Sequence, residues 1–288
     1  MPKPADHGIG FFDMTKLQPG GTFLIIGKRA CGKTSLLYDL LSHMSKWFAS
    51  AESESTGFDC ALAMAGSTPS ANMFMRCLPR AFVSPPDIDR LQHYVSVMKA
   101  QFASANRRGI PPRNGIMMGD DLAYNTKLMK CNPLLETFLN GRNYGITCLL
   151  VLQYIMKVGP DFRSNADYVF VFWDNNSKNQ DKIHEFWFNM MPKDTFRDAF
   201  ATCTRDYAVL VMDVRQSATS RDWHDCVFWY KAPELGAQEP FRLCKRDMDL
   251  IADYCEIEDP EAQQMAAANA QIWRLGPNGE VYDEDSPE

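Results

Sequence analysis

Apolar positions along the chain fall into short runs whose period changes between strand-like and helix-like. The run Phe23 to Ile26 precedes a glycine-bearing loop, and Leu36, Leu37, Leu40, Leu41 and Met44 then recur at helical spacing, predicting strand, loop and a helix ending near Phe48. A small-residue, acidic connector (49–57) leads to a second strand, "FDCALAMA", at 58–65. Pro69, Pro79, Pro85 and Pro86 rule out one continuous regular element in the next segment. Ile88, Leu91, Tyr94, Val95, Met98 and Phe102 keep a 3.6-residue period and predict a helix over 88–104.

"GIMMGDD" reads as an apolar strand ending in two acids. A helix near 132–142 leads into "ITCLLVLQY" (146–154), so uniformly apolar that it reads as a central strand covered on both faces. "DYVFVFWD" (167–174) is a further strand, and "KNQDKIHEFWFNMM" a further helix. The strand candidates 207–213 and 226–232 are separated by about twelve polar residues, too few for a parallel helical crossover, which predicts an antiparallel hairpin at the sheet edge. The fold class expected is α/β, a mostly parallel central sheet flanked by helices.

The 288 residues are 45% hydrophobic, enough for a large core. The expected division is a lead-in (1–20), one main domain (21–232) and a C-terminal extension with a frayed acidic tail (233–288). No run approaches the eighteen apolar residues of a spanning helix, and the N-terminus lacks the apolar centre of a signal peptide, so the expectation is an intracellular soluble protein. Nine cysteines form no CxxC and mostly sit in apolar segments, consistent with reduced thiols. The formal charge of −6 argues against coating nucleic acid by bulk attraction but leaves room for a locally basic channel.

Chemistry concentrates in "GKRACGKTS". The spacing G-x-x-x-x-G-K-T between strand and helix makes Gly27, Lys28, Arg29, Ala30, Cys31, Gly32, Lys33, Thr34 and Ser35 a candidate nucleotide-phosphate loop. Converging backbone N–H groups and the helix N-terminus would cradle a β-phosphate. Lys33 would reach between the β and γ phosphates, and the Thr34 hydroxyl would ligate Mg²⁺. Asp120 is the candidate Mg²⁺ carboxylate and Asp121 the candidate acid that polarises attacking water; the alternative is a solvated turn after an edge strand. Gln153, polar at the end of "LLVLQ", could sense a γ-phosphate or hold the lytic water, or simply end a strand.

The strand at 58–65 suggests that the acid-bearing strand is not the sequential neighbour of the loop strand, as in additional-strand NTPases. Arg142, at the end of a helix, should lie on the sheet edge away from its own nucleotide. It could then act in trans on a neighbouring subunit, or form a surface ion pair.

Together "LIIGKRACGKTSLL", "GIMMGDDL", "GRNYGITCLLVLQY", "DFRSNADYVFVF" and "CVFWYKA" resemble the genome-packaging ATPases of large nucleocytoplasmic DNA viruses, the poxvirus-type branch of the HerA–FtsK superfamily. The likeness spans about residues 10–232. It implies an additional-strand ATPase using ATP and Mg²⁺ that forms a homo-oligomeric ring, expected to be a hexamer, and drives double-stranded DNA into a preformed capsid. Capsid or portal-region proteins are the implied partners. Host cytoplasm at viral assembly sites is the implied location, with retention in the virion left open.

Lys33, Thr34, Asp120, Gln153 and Arg142 match the family's functional positions, and Arg163 in "DFRSN" matches an arginine with a sensing or interface role. Two departures stand out: Asp121 where glutamate is common, and Cys31 where a small residue is usual. A thiol at a helix start is expected to be favoured as thiolate. Under the motor reading, Arg107, Arg108 and Arg113, with Arg76 and Arg80, are the candidate DNA-gripping residues. A translocase for segregation or processing, an inactive nucleotide-binding scaffold and a small-molecule kinase remain as alternatives.

Overall fold

The computed structural model describes residues 8–48, 56–155 and 159–245. The acidic tail and most of the 49–57 connector lie outside them. Nine strands form one sheet: β1 (Gly10–Phe11), β2 (Thr22–Ile26), β3 (Cys60–Ala65), β4 (Val83–Ser84), β5 (Gly115–Asp120), β6 (Ile146–Leu152), β7 (Tyr168–Phe172), β8 (Val209–Asp213) and β9 (Val227–Tyr230). Their spatial order is β1-β9-β8-β7-β2-β6-β5-β3-β4. The stretch from β7 to β4 is parallel throughout. β8 runs antiparallel to both β7 and β9, and β1 adds to the outside of β9, so β9 is not the edge strand.

Eight α-helices are described: α1 (Lys33–Met44), α2 (Thr68–Phe74), α3 (Ile88–Arg108), α4 (Asn132–Asn140), α5 (Pro160–Asn165), α6 (Ser177–Ile183), α7 (Lys193–Cys203) and α8 (Val214–Ser217). Alternation along each central strand feeds two cores. Phe23 and Ile25 of β2 join α1, α2 and Leu243 on one face. Leu24 and Ile26 join α3, α4, α5 and α7 on the other. β6 is buried at all seven positions, which explains its unbroken apolar sequence.

This is the P-loop fold of the additional-strand class. The strand inserted between the loop strand β2 and the acid-bearing strand β5 is β6, whereas β3 lies on the far side of β5. The sequence order therefore points to the right class, but the strand that separates the two in space is a later one.

The proline-rich segment contains more regular structure than its sequence suggests. Pro69 stands in the first turn of α2, where a missing N–H costs nothing, and Ser67 caps the helix. The helix expected over "KNQDKIHEFWFNMM" is α6 followed by a π-helical turn, His184–Phe188. From Ala232 to Lys245 the chain stays on the main body: Phe241 packs its ring 4.7 Å from Tyr38 of α1, and Phe58 bridges to Cys244.

Candidate functional site

The parallel strands bring their C-terminal ends to one edge of the sheet, where ligands bind in such folds. β2 delivers the phosphate loop, β5 ends at Asp120, and Gln153 follows β6 directly. Asp120 pairs in register with Val151, two residues before Gln153. Lys33, Thr34, Asp120, Asp121 and Gln153 therefore share one edge, though they come from three separate sequence segments.

Loop geometry depends on its glycines. A Cβ on Gly27 would lie 2.6 Å from Cys31 Sγ and 2.8 Å from Phe172 Cβ. Gly32 caps α1 with φ 103°, a left-handed conformation that L side chains rarely adopt. Lys33 Nζ donates to the Lys28 carbonyl, folding the ammonium back over its own loop. Lys28 is held in turn by Asp174 at 2.8 Å and by the Asn175 side-chain oxygen, both just after β7. Thr34 is exposed in the first turn of α1.

Across from the loop, Ser70 Oγ of α2 donates to Asp120 Oδ2 at 2.7 Å, and Ser67 and Ser70 hydroxyls meet at 2.9 Å. Burial foremost pushes the Asp120 carboxyl above its ordinary pKa; Asp121 adds to this, while Ser70 and the Lys33 charge oppose it. Asp121 sits at φ 60°, a left-handed position that aspartate tolerates better than most residues. The Gln153 amide donates to Asp121 Oδ1.

The donor set suits Mg²⁺, a hard cation held by one or two carboxylates together with substrate phosphates. Among the described residues no group of three or more His, Cys, Asp or Glu could hold a metal unaided. Thr34, Asp120 and nucleotide phosphates together would supply the oxygens.

Cys31 departs from expectation. Burial raises its thiol pKa, outweighing the Lys33 charge and the backbone N–H groups at the helix start. The thiol, rather than the thiolate, is the resting form at neutral pH.

Arg142 and Arg163 lie away from this edge. Each precedes a parallel strand, at the N-terminal edge of the sheet. Arg142 Nη2 stands 3.3 Å from Asp167 Oδ1, with its side chain 52% exposed. Arg163 stacks its guanidinium 3.9 Å from the Phe186 ring centroid, and its carbonyl accepts from Trp187 Nε1 at 3.1 Å.

The candidate DNA-gripping residues divide between both edges. Arg107 and Arg108 end α3 and Arg113 precedes β5, all at the N-terminal edge. Arg80 lines a cleft of about 510 Å³ with Gly66 and Tyr124 at the C-terminal edge, and Arg76 lies over the Tyr38 ring at 4.8 Å.

Ser70, Asp167 and Asp174 hold the candidate residues in place, and sequence reasoning passes over all three. The serine has no motif of its own; Asp174, ending "DYVFVFWD" on the loop-side edge, carries a positional signal.

No family model matches the chain. It is 30% identical over 228 residues to uncharacterized protein 015R of Frog virus 3 (isolate Goorha), covering 77% of this chain and 65% of that one. The chain thus spans about 65% of that relative's length. Uncharacterized protein 088R of Invertebrate iridescent virus 3 is 29% identical over 234 residues, 81% of each chain. Uncharacterized protein L437 of Acanthamoeba polyphaga mimivirus is 24% identical over 239 residues, 79% of this chain and 80% of that one.

In fold, the chain is similar to B204, the DNA-packaging ATPase from Sulfolobus Turreted Icosahedral Virus. The TM-score is 0.51 at 13% identity, covering 76% of this chain and all of B204. The genome packaging NTPase B204 from Sulfolobus turreted icosahedral virus 2, solved with AMPPCP, gives a TM-score of 0.51 at 12% identity, covering 75% of this chain and 100% of that one.

Proposed function

We infer that this chain is an ATP-hydrolysing motor subunit of the poxvirus-type HerA–FtsK branch, which assembles as a homo-oligomeric ring and drives duplex DNA into a preformed capsid. The observation that carries the reading is the division of labour between the two sheet edges. Phosphate loop, acids and Gln153 converge on one, while Arg142 occupies the other. A chain so built holds the groups for binding and water activation, and offers its exposed arginine outward. The viral source of the sequence relatives and the fold shared with B204, a DNA-packaging ATPase, support a DNA-translocating role, of which packaging is the form proposed.

In this reading the loop amides and Lys33 bind the β and γ phosphates. Magnesium, when bound, neutralises charge on the phosphates. Thr34 and Asp120 would hold it, and Ser70 fixes the rotamer of Asp120. Asp121 accepts a proton from attacking water, and Gln153 orients Asp121. Arg142 of an adjacent subunit stabilises the charge that develops on the transferred phosphoryl group. Arg163 supports the same interface. DNA contacts through the surface arginines are to phosphates and therefore largely independent of sequence.

The deciding measurement is ATPase activity with and without duplex DNA, combined with mass determination in ATP. A DNA-stimulated, oligomeric ATPase is expected. A monomer whose hydrolysis ignored DNA would overturn the motor reading, and a chain that bound ATP without turnover would favour the scaffold.

A further inference from the structure

A cavity of about 430 Å³ adjoins the phosphate loop, within the size range of small-molecule sites. One wall is loop residues 28–31; the other carries Phe172, Trp173, Thr204 and Tyr207. Tyr207 is 68% exposed and Trp173 40%, although both belong to segments anchored in the core. Phe172 is the last residue of β7, and Ala208 and Val209, immediately after the tyrosine, are buried.

Tyr207 is also held at a conformational cost. Asp206 and Tyr207 have φ of 52° and 66°, two successive non-glycine residues in the left-handed region. Such positions are uncommon, and for bulky side chains more so. The turn seats the tyrosine against the loop: a Cβ on Gly32 would lie 3.2 Å from Tyr207 Cβ. Among the described residues the tyrosine ring stacks on no other aromatic ring. Trp173 touches Phe200 at 5.3 Å between centroids, which fixes the indole while leaving part of it open to the cavity.

We propose that this cavity is the nucleoside pocket, in which Tyr207 and Trp173 form an aromatic platform for the nucleobase. This rests on the phosphate-loop reading, because the loop forms one wall and so places whatever is attached to a bound phosphate beside these rings. Every base has a π-face, so stacking provides affinity with little discrimination among bases. Lys28 is tied to Asp174 and Asn175 at the same wall, so these side chains brace the loop beside the platform.

The test compares ATP with tripolyphosphate, which lacks the base and sugar, by calorimetric titration of the full chain. Tyr207→Asn is the informative substitution because asparagine tolerates the left-handed backbone. It should weaken ATP binding roughly tenfold or more while leaving tripolyphosphate affinity within about twofold, on the usual strength of base–aromatic stacking. Y207F should bind ATP like the parent. ATP, but not tripolyphosphate, should change the tryptophan emission, and W173F should lose that change.

Parental ATP affinity in Y207N would overturn the platform while leaving the loop assignment standing. Equal weakening of both ligands in Y207N would make the tyrosine a brace for the loop instead, and the proposal would fall. Failure of the parental chain to bind either ligand would remove the loop reading and the platform together.

Discussion

The Gln153 side-chain amide donates to an Asp121 carboxylate oxygen, joining the ends of neighbouring strands β6 and β5. The contact pins the one acid of the pair that is left free of Ser70, and it places the amide where a γ-phosphate could compete for it. Removing the carboxylate charge should therefore separate binding from chemistry. Asp121→Asn is expected to bind ATP like the parent and to lose about 10²-fold or more in kcat, the usual weight of a general base. Q153A should also keep binding and lose turnover. Parental kcat in an assembled D121N ring would move the role of water activation to another residue.

Ser70 acts on Asp120 through a single hydroxyl, so its loss should show as a demand for metal. Hydrogen-bond partners of metal ligands typically contribute roughly 10- to 100-fold in affinity. Ser70→Ala is expected to raise the Mg²⁺ concentration for half-maximal ATPase by about tenfold, with nucleotide binding in chelator unchanged. An unaltered Mg²⁺ titration would leave the serine only its place in the α2 cap.

Cys31 makes a contrasting case. Since burial holds its thiol above the ordinary range, alkylation at neutral pH should be slow and should accelerate as pH rises into the alkaline range. Saturating Mg²⁺-ATP should protect it by covering the loop. Alkylation of Cys31 at pH 7 as fast as that of a free cysteine would contradict the buried-thiol account.

Further along α1, Tyr230 Oη donates to buried Asp39 Oδ2 at 2.6 Å, with His43 Nε2 4.0 Å from Oδ1. Burial foremost raises the Asp39 pKa, against the Tyr230 hydrogen bond and the charges of His43 and Lys46. A folded-state pKa above the unfolded one means that the native state binds the proton more readily. The contribution to stability is thus full below the unfolded value near 3.8 and lost as pH rises through the folded value. Asp39→Asn keeps an acceptor for Tyr230 without the charge. Its stability at pH 7 should equal or exceed the parent's, and the advantage should shrink as pH falls towards 4. Urea denaturation at several pH values checks this; a parent clearly more stable than D39N at pH 7 would show that the carboxylate is favourable there.

What could be read from the sequence follows burial. β2, β5, β6 and β7 are covered on both faces, and their apolar runs stand out for that reason. The phosphate loop is equally plain, because contiguous residues form it. α7 passes unassigned although Phe196, Phe200 and Cys203 line one face of it, and α2 is hidden by a proline that its first turn accommodates. Spatial strand order, the Ser70 contact and the Tyr207 turn depend on long-range packing that leaves no local pattern. Arg142 is intermediate: its edge follows from the helix before β6, but its partner Asp167 does not.

That partner bears directly on whether Arg142 can serve a neighbour. Asp167 Oδ2 accepts from Thr22 N at 2.8 Å and Thr22 Oγ1 at 3.0 Å and keeps both bonds if the arginine leaves, whereas Oδ1 accepts from Arg142. The Arg142 contacts, at 3.3 and 3.4 Å, are long, and the arginine side chain is 52% exposed while that of Asp167 is buried. The long contacts and the exposed guanidinium favour release towards an adjacent active site, and the uncovered Asp167 Oδ1 opposes it. R142A and K33A should each lose ATPase, by on the order of 10³-fold for a transition-state arginine. Mixed together they should regain part of it, because some interfaces pair the intact loop of an R142A subunit with the intact Arg142 of a K33A subunit. The assay is DNA-stimulated ATPase across mixing ratios, with mixed oligomers verified by mass and the parent's concentration dependence measured alongside. Parental activity independent of protein concentration down to the monomer would reject action in trans. Absence of rescue in verified mixed rings, with a parent that does need assembly, would instead point to obligatory coordination around the ring, in which one dead loop silences its neighbours.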